Sequence, residues 1–151
     1  MKIKQIQLKN FRLLDDVVLN IEEDITLIVG KNNTGKTSLF EAINIFTKDK
    51  QEVSFEDFSQ NSYDVFQECE ALYNLYKVES DDERKEILEI EIKAKTPKVQ
   101  LYIEFEYNID KDSLISISEF ITDLDEKRKD ATVLISYEPK DSLKLYGLFQ
   151  N

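Results

Sequence analysis

"ITLIVGKNNTGKTSLFEAI", Ile25 to Ile43, decides how the rest of the chain is read. Five residues without charge run into a glycine, then a polar loop, then Lys-Thr-Ser and a helical pattern. The chain has only three glycines, and two of them, Gly30 and Gly35, fall inside this loop. Gly30 to Thr37 fits the pattern G-x-x-x-x-G-K-[ST], and an anion explains each required type. Glycines let the main chain curl with its N–H groups pointing inward, at positive φ where needed. A helix starting near Gly35 adds the positive end of its dipole. Lys36 is a mobile charge for the β and γ oxygens of a polyphosphate, and the Thr37 hydroxyl is a small oxygen ligand for magnesium. Ser38 can donate to a further phosphate oxygen, and the backbone of Asn32, Asn33 and Thr34 completes the cradle. At average glycine usage the pattern arises by chance in roughly one chain of this length in several hundred.

Outward from the loop, "ITLIV" has the pattern of a strand covered on both sides. Leu39, Ala42, Ile43 and Phe46 predict a helix from Lys36 to about Phe46. Upstream, Met1 to Phe11 and Val17 to Ile21 read as strands, the first with a parity break between Ile3 and Ile6 that calls for a bulge or double burial. Downstream, Val65, Cys69, Leu72 and Tyr76 predict a helix from about Tyr63 to Val78. Leu88, Ile90, Ile92 and Ala94 alternate with charges, Thr96-Pro97 punctuates, and Val99 to Tyr107 alternates again, which predicts a hairpin. Ser116 and Glu119 form a capping box for another helix. "TVLISYE" and "LKLYGLF" flank "PKDS" as a second hairpin. The expected organisation is a phosphate-loop core over 1–50, a helical insertion over 51–86, and two hairpins and a helix over 87–151.

Composition narrows the chemistry. Histidine is absent, which removes histidine-based triads and zinc sites. The single cysteine, Cys69, sits in an apolar helical stripe and reads as a core residue, and one cysteine cannot make an internal disulfide. No apolar run approaches the ~20 residues that cross a bilayer, and the N-terminus alternates Lys and Ile rather than showing a signal-peptide core, so a cytoplasmic location without membrane contact is expected. Net charge is −11. Residues 1–50 carry 8 basic and 7 acidic side chains, whereas 51–151 carry 12 and 24. Such a surface repels a nucleic-acid backbone, so polyphosphate binding has to be local to the first fifty residues.

The surroundings of the loop carry a resemblance. "IKQIQLKNFRLLDDVVLNIEEDITLIVGKNNTGKTSLFEAI" resembles the opening of the SMC/RecF/OLD group of ABC-type ATPases, with a strand ending Asn10-Phe11-Arg12, a second strand and a G-x-N-x-x-G-K loop. "VSFEDFS", Val53 to Ser59, is similar to the Asp-Phe segment of OLD-like (overcoming lysogenization defect) AAA-type ATPases. The resemblance implies an α/β P-loop fold: the N-terminal lobe of an ABC-type ATPase head with a large antiparallel β component. It implies ATP and Mg2+ as ligands at Gly30, Asn32, Asn33, Thr34, Gly35, Lys36, Thr37 and Ser38. In the complete protein it implies a homodimer of heads, ATP hydrolysis, and a DNA-processing or phage-defence endonuclease activity that reaches DNA through regions outside this chain. A Leu-Ser-x-Gly signature, a Walker B run ending Asp-Glu and a Toprim-like stretch are not visible. "VLISYE" is interrupted by Ser136 and Tyr137, and Gln60, Gln67 and Gln100 are all open as the Q-loop residue. An ATPase inactive on its own is therefore expected. The alternative is a small assembly protein whose nucleotide site is regulatory or vestigial.

Other residues are weighed against simpler roles. Arg12 matches the group's motif and lies beside the nucleotide or in a salt bridge at a strand end. Asp57 sits near the metal or phosphates, or is a loop carboxylate or helix cap. Glu41 should point away from the loop. Glu89 with Glu91, and Glu104 with Glu106, read as solvated strand faces, and Tyr73, Tyr76, Tyr102 and Tyr107 as packing.

Overall fold

A computed structural model describes residues 1–48, 53–108 and 129–149. Among the described residues four strands form one antiparallel sheet in the order β2-β1-β3-β4: β1 Lys2–Phe11, β2 Leu14–Asn20, β3 Val99–Glu106 and β4 Asp130–Tyr137. Period-two alternation aims one face of each strand at the core. Leu8 of β1 lies opposite both Val17 and Leu101, and Leu8 and Leu101 are fully enclosed. The parity break in β1 is a register shift between Ile3 and Gln5, as a bulge requires. The sheet's inner face meets helix α1, Lys36–Thr47, whose Leu39, Ala42 and Ile45 are buried against Leu8, Phe11, Leu14, Val99 and Leu101. The Tyr137 hydroxyl donates to the Ile45 carbonyl at 3.2 Å and ties β4 to that helix.

A second core lies between three other helices: α2 Gln60–Val78, α3 Asp82–Lys95 and α4 Ser142–Leu148. Phe66, Cys69, Ile92 and Tyr146 are buried there, and the Thr96 and Tyr146 hydroxyls hydrogen-bond at 3.2 Å. Cys69 is enclosed, as its stripe predicted. Phe58 packs against both cores. Its segment is stitched to the end of β1 by Arg12 N–H donating to the Asp57 carbonyl at 2.8 Å and Ser59 N–H to the Asn10 carbonyl at 3.2 Å.

Three expectations are corrected. Leu88 to Ala94 is no strand but the body of α3. Its alternation is supplied by Leu, Glu, Lys and Ala, which are strong helix formers, and local chemistry then favours the helix. The Asp81 carboxylate caps it by accepting from Arg84 N–H at 3.0 Å, Asp82 and Glu83 fill the first turn, Lys93 and Lys95 the last, and Glu91 pairs with Lys95 at 2.9 Å. β3 instead finds its partners in β1 and β4. The second hairpin fails in the same way: "TVLISYE" is within β4 and its neighbourhood, but "LKLYGLF" belongs to α4, capped by Asp141, which accepts from Lys144 N–H at 3.0 Å. "ITLIV" joins no ladder among the described residues. Thr26 and Ile28 are half-buried while Ile25, Leu27 and Val29 face outward, so the run is covered on one face only. The expected Ser116–Glu119 capping box lies outside the described residues. Among those described, no helix is long and apolar enough to cross a membrane.

The helical reading of α3 separates two isoleucines that a strand would treat alike. Ile92 is fully enclosed and Ile90 is 62% exposed. Ile92→Ala is expected to cost about 2–5 kcal/mol and Ile90→Ala under ~0.5 kcal/mol in urea denaturation, whereas comparable losses would restore the strand.

Candidate functional site

The loop between Gly30 and Lys36 is held by its own lysine. The Lys36 ammonium donates to the Gly30 carbonyl at 2.6 Å and to the Lys31 carbonyl at 2.5 Å. The Thr34 hydroxyl donates to the same Lys31 carbonyl at 2.9 Å. Asn33 has φ 64° and Gly35 φ 87°, two left-handed residues either side of Thr34 that turn the main chain within the loop. Gly35 is the N-cap of α1, and Leu39 N–H donates to its carbonyl at 2.9 Å. A Cβ on Gly35 would lie 2.5 Å from Leu14 Cδ2, and one on Gly30 would lie 2.9 Å from Thr34 Oγ1. Gly35 is therefore required by its left-handed backbone and by buried Leu14 beside it, whereas at Gly30 the Thr34 side chain would have to turn aside.

The start of α1 is left bare. No side chain caps it and its first turn holds no acidic residue, so the N–H groups and the dipole are open to an anion. Thr37 is exposed and Ser38 half-buried in that first turn. A bare helix start, a left-handed glycine at its N-cap and a converging ammonium fit a polyphosphate. Among the described residues no group of three or more carboxylates or cysteines could hold a metal by itself. Magnesium suits this donor set, because it usually takes one or two protein oxygens and completes its octahedron with phosphate and water.

Arg12 and Asp57 belong to a different cluster. Arg12 stands at φ 51° in the turn after β1, with its guanidinium between two carboxylates. It donates to Asp57 Oδ1 from Nε at 2.9 Å, and its other nitrogens pair with Asp57 and with Glu41 of α1. The second Asp57 oxygen accepts from the main-chain N–H of Ser54 at 3.0 Å and from its hydroxyl at 2.9 Å, a capping box that starts the turn Phe55–Asp57. Burial pushes the Asp57 carboxyl up, but the Ser54 hydrogen bonds and the Arg12 charge outweigh it and hold it below the ordinary carboxylate value. Both of its oxygens thus accept hydrogen bonds from protein groups. Glu41 is turned to Arg12. The box was legible as Ser54-x-x-Asp57, but its acidic member is Asp rather than the usual Glu or Gln.

One sequence signature matches nearly the whole length: the AAA ATPase domain, over residues 1–149. The chain belongs to the AAA ATPase domain family. Nucleotide binding follows from that membership, and so does a P-loop NTPase fold. This AAA ATPase domain is also 46% identical over 43 residues to the DNA replication and repair protein RecF of Lactococcus lactis subsp. cremoris, which is 28% of this chain and 12% of that protein. A RecF of Bacillus cytotoxicus is 44% identical over 50 residues, 33% of this chain and 13% of that protein. The DNA double-strand break repair Rad50 ATPase of Methanococcus maripaludis is 35% identical over 83 residues, 52% of this chain and 8% of that protein. The aligned part is thus a small fraction of each relative.

In this AAA ATPase domain Lys36 reaches back to Gly30 across the loop, while Arg12 and Asp57 meet each other rather than the lysine. The network that sequence reading missed is Ser59, whose buried hydroxyl donates to Asp15 at 3.0 Å, with Asn61 donating to the other Asp15 oxygen at 2.8 Å. Asn61 follows the Asp-Phe segment by only two positions, but nothing in the sequence links it to Asp15.

Two measurements check the site. Gly35→Ala should lower stability by about 1–3 kcal/mol through its positive φ alone, read by chemical denaturation. Because the folded Asp57 carboxyl is depressed, its contribution is present above the unfolded value of 3.8 and lost as pH falls below it. Asp57→Asn should flatten the acid limb of the stability curve below about pH 4, and an unchanged limb would show that the cluster carries no such linkage.

Proposed function

We propose that this chain binds ATP with magnesium at Gly30 to Ser38 as the N-terminal lobe of an OLD-like ABC-type head. The observation that carries this reading is the Lys36 ammonium gathered onto the Gly30 and Lys31 carbonyls beside an uncapped helix start. Triphosphate oxygens replace those carbonyls as acceptors, and charge-assisted bonds to them are the stronger kind. The amides from Asn32 to Thr37 line the chain of phosphates, Ser38 donates to it, and the Thr37 hydroxyl faces the metal. When bound, magnesium neutralises charge on the outer phosphates. Arg12 holds the strand end against α1 and the 55–57 turn through Glu41 and Asp57, so it sets the position of the loop from outside.

Hydrolysis requires a group that orients water, and the described residues offer no carboxylate after an apolar strand in the manner of a Walker B. Turnover is a property of the complete assembly, in which paired heads enclose the nucleotide. RecF and Rad50 are named for DNA replication and repair and for double-strand break repair. A DNA-processing or phage-defence nuclease role of the OLD type is the corresponding reading for the whole protein here.

Titration with fluorescent ATP tests the site. Lys36→Ala is expected to weaken binding by on the order of tenfold to a hundredfold, as loss of bonds from a charged donor implies. Thr37→Ala should abolish the magnesium dependence. Absence of binding by the wild-type chain would overturn the reading in favour of an assembly protein with a vestigial loop.

A further inference from the structure

Helix α3 carries a second apolar row on the side away from its own core. Ile92 is enclosed and Leu88 half-buried on the inner side. Ile87, Ile90 and Ala94 recur at spacings of three and four on the opposite side, and all three are exposed. A surface helix that packs by a single stripe is polar there. The apolar surface continues onto α2, where Val78 is 80% exposed, and Leu75 and Val78 line one depression with Glu79, Arg84, Ile87 and Leu88. Among the described residues α3 packs chiefly on α2 and α4, so this face belongs to the helical layer rather than to the glycine loop or the sheet. Charges flank the row in a definite order. At the helical period, Glu86 and Lys93 border it on one side and Arg84 and Glu91 on the other. Within the chain Arg84 meets Glu79 at 3.6 Å and Glu91 meets Lys95 at 2.9 Å, both at the surface.

We propose that the outward face of α3 joins two copies of this chain as an antiparallel helix pair, about a two-fold axis between Ile87 and Ile90. That register sets Ile87 of one copy beside Ile90 of the other, and Glu83 beside the small Ala94. Glu86 of each copy then meets Lys93 of the other along one border, and Arg84 meets Glu91 along the other. Flanking charges of this sort set the orientation of paired helices. A parallel pairing would set Glu86 beside Glu91, and like charges oppose it. The ends of the helix agree: Asp82 and Glu83 fill its first turn and Lys93 and Lys95 its last, and only the antiparallel arrangement brings opposite ends together. The two-fold contact is self-complementary, so one helix face serves both sides. Leu75 and Val78 border the pair and extend its apolar area. The contact uses neither nucleotide nor the glycine loop, so it stands independently of ATP binding and of any pairing of heads around ATP.

Sedimentation velocity on the full chain without nucleotide, over a concentration series, tests this. A monomer–dimer equilibrium is expected. Glu86→Lys should weaken it on the order of tenfold, since two attractive pairs become repulsive. Adding Lys93→Glu to Glu86→Lys should restore it, a recovery that a general loss of folding would not give. Ile90→Asp, at a side chain that faces solvent, should give a monomer with an unchanged far-UV circular dichroism spectrum. A wild-type chain monomeric at every concentration would overturn the proposal and leave the face to a different partner. Association indifferent to Ile90→Asp, or a double charge swap no better than the single one, would overturn it too.

Discussion

Among the three glycines the tightest approach is where Gly35 passes Leu14. With a Cβ there, Leu14 Cδ2 would stand 2.5 Å away, and the backbone turns left-handed at the same residue. Leu14 opens β2 and is buried in the sheet's core, so the start of α1 is set against the sheet at the level of one missing methyl group. The curl of the loop, the bare N–H groups of the helix and the reach of Lys36 all depend on that approach. A bulkier residue would lift the helix from the sheet, and the core residues Leu39, Ala42 and Ile45 with it.

Around this point the chain doubles its fastenings. The turn after β1 is held by Arg12 between Asp57 and Glu41, and by main-chain bonds from Arg12 to Asp57 and from Ser59 to Asn10. Surface ion pairs alone are worth little. Here the acceptor is an Asp57 carboxylate that is mostly buried and fully hydrogen-bonded, so the cluster fixes geometry more than it adds stability.

The phosphate loop, β1, β2, α1 and α2 were legible because each rests on a local rule: glycine spacing, period two or period 3.6. The two misread hairpins show where such rules stop. Alternation in "ILEIEIKAK" satisfies a strand template, yet the caps at Asp81 and the charge gradient along α3 favour a helix that buries Ile92 alone among its residues. The same holds for α4, where Asp141 caps a segment too short for its period to declare itself. "ITLIV" reads as a strand covered on both sides but joins no ladder among the described residues and is covered on one face, because pairing and coverage depend on what lies beside it. Arg12 and Asp57 were both singled out, but their meeting joins positions 45 apart, which neither spacing nor composition encodes.

Phe58 has a consequence beyond packing. Its ring is shared by the sheet's core and the three-helix core, and its backbone bridges to Phe11 of β1. Neither layer can melt while the other keeps its interior dry, since opening one strips a wall from the other. The two layers are thus coupled through one shared wall, and a displacement of the helices would reach the end of β1 first.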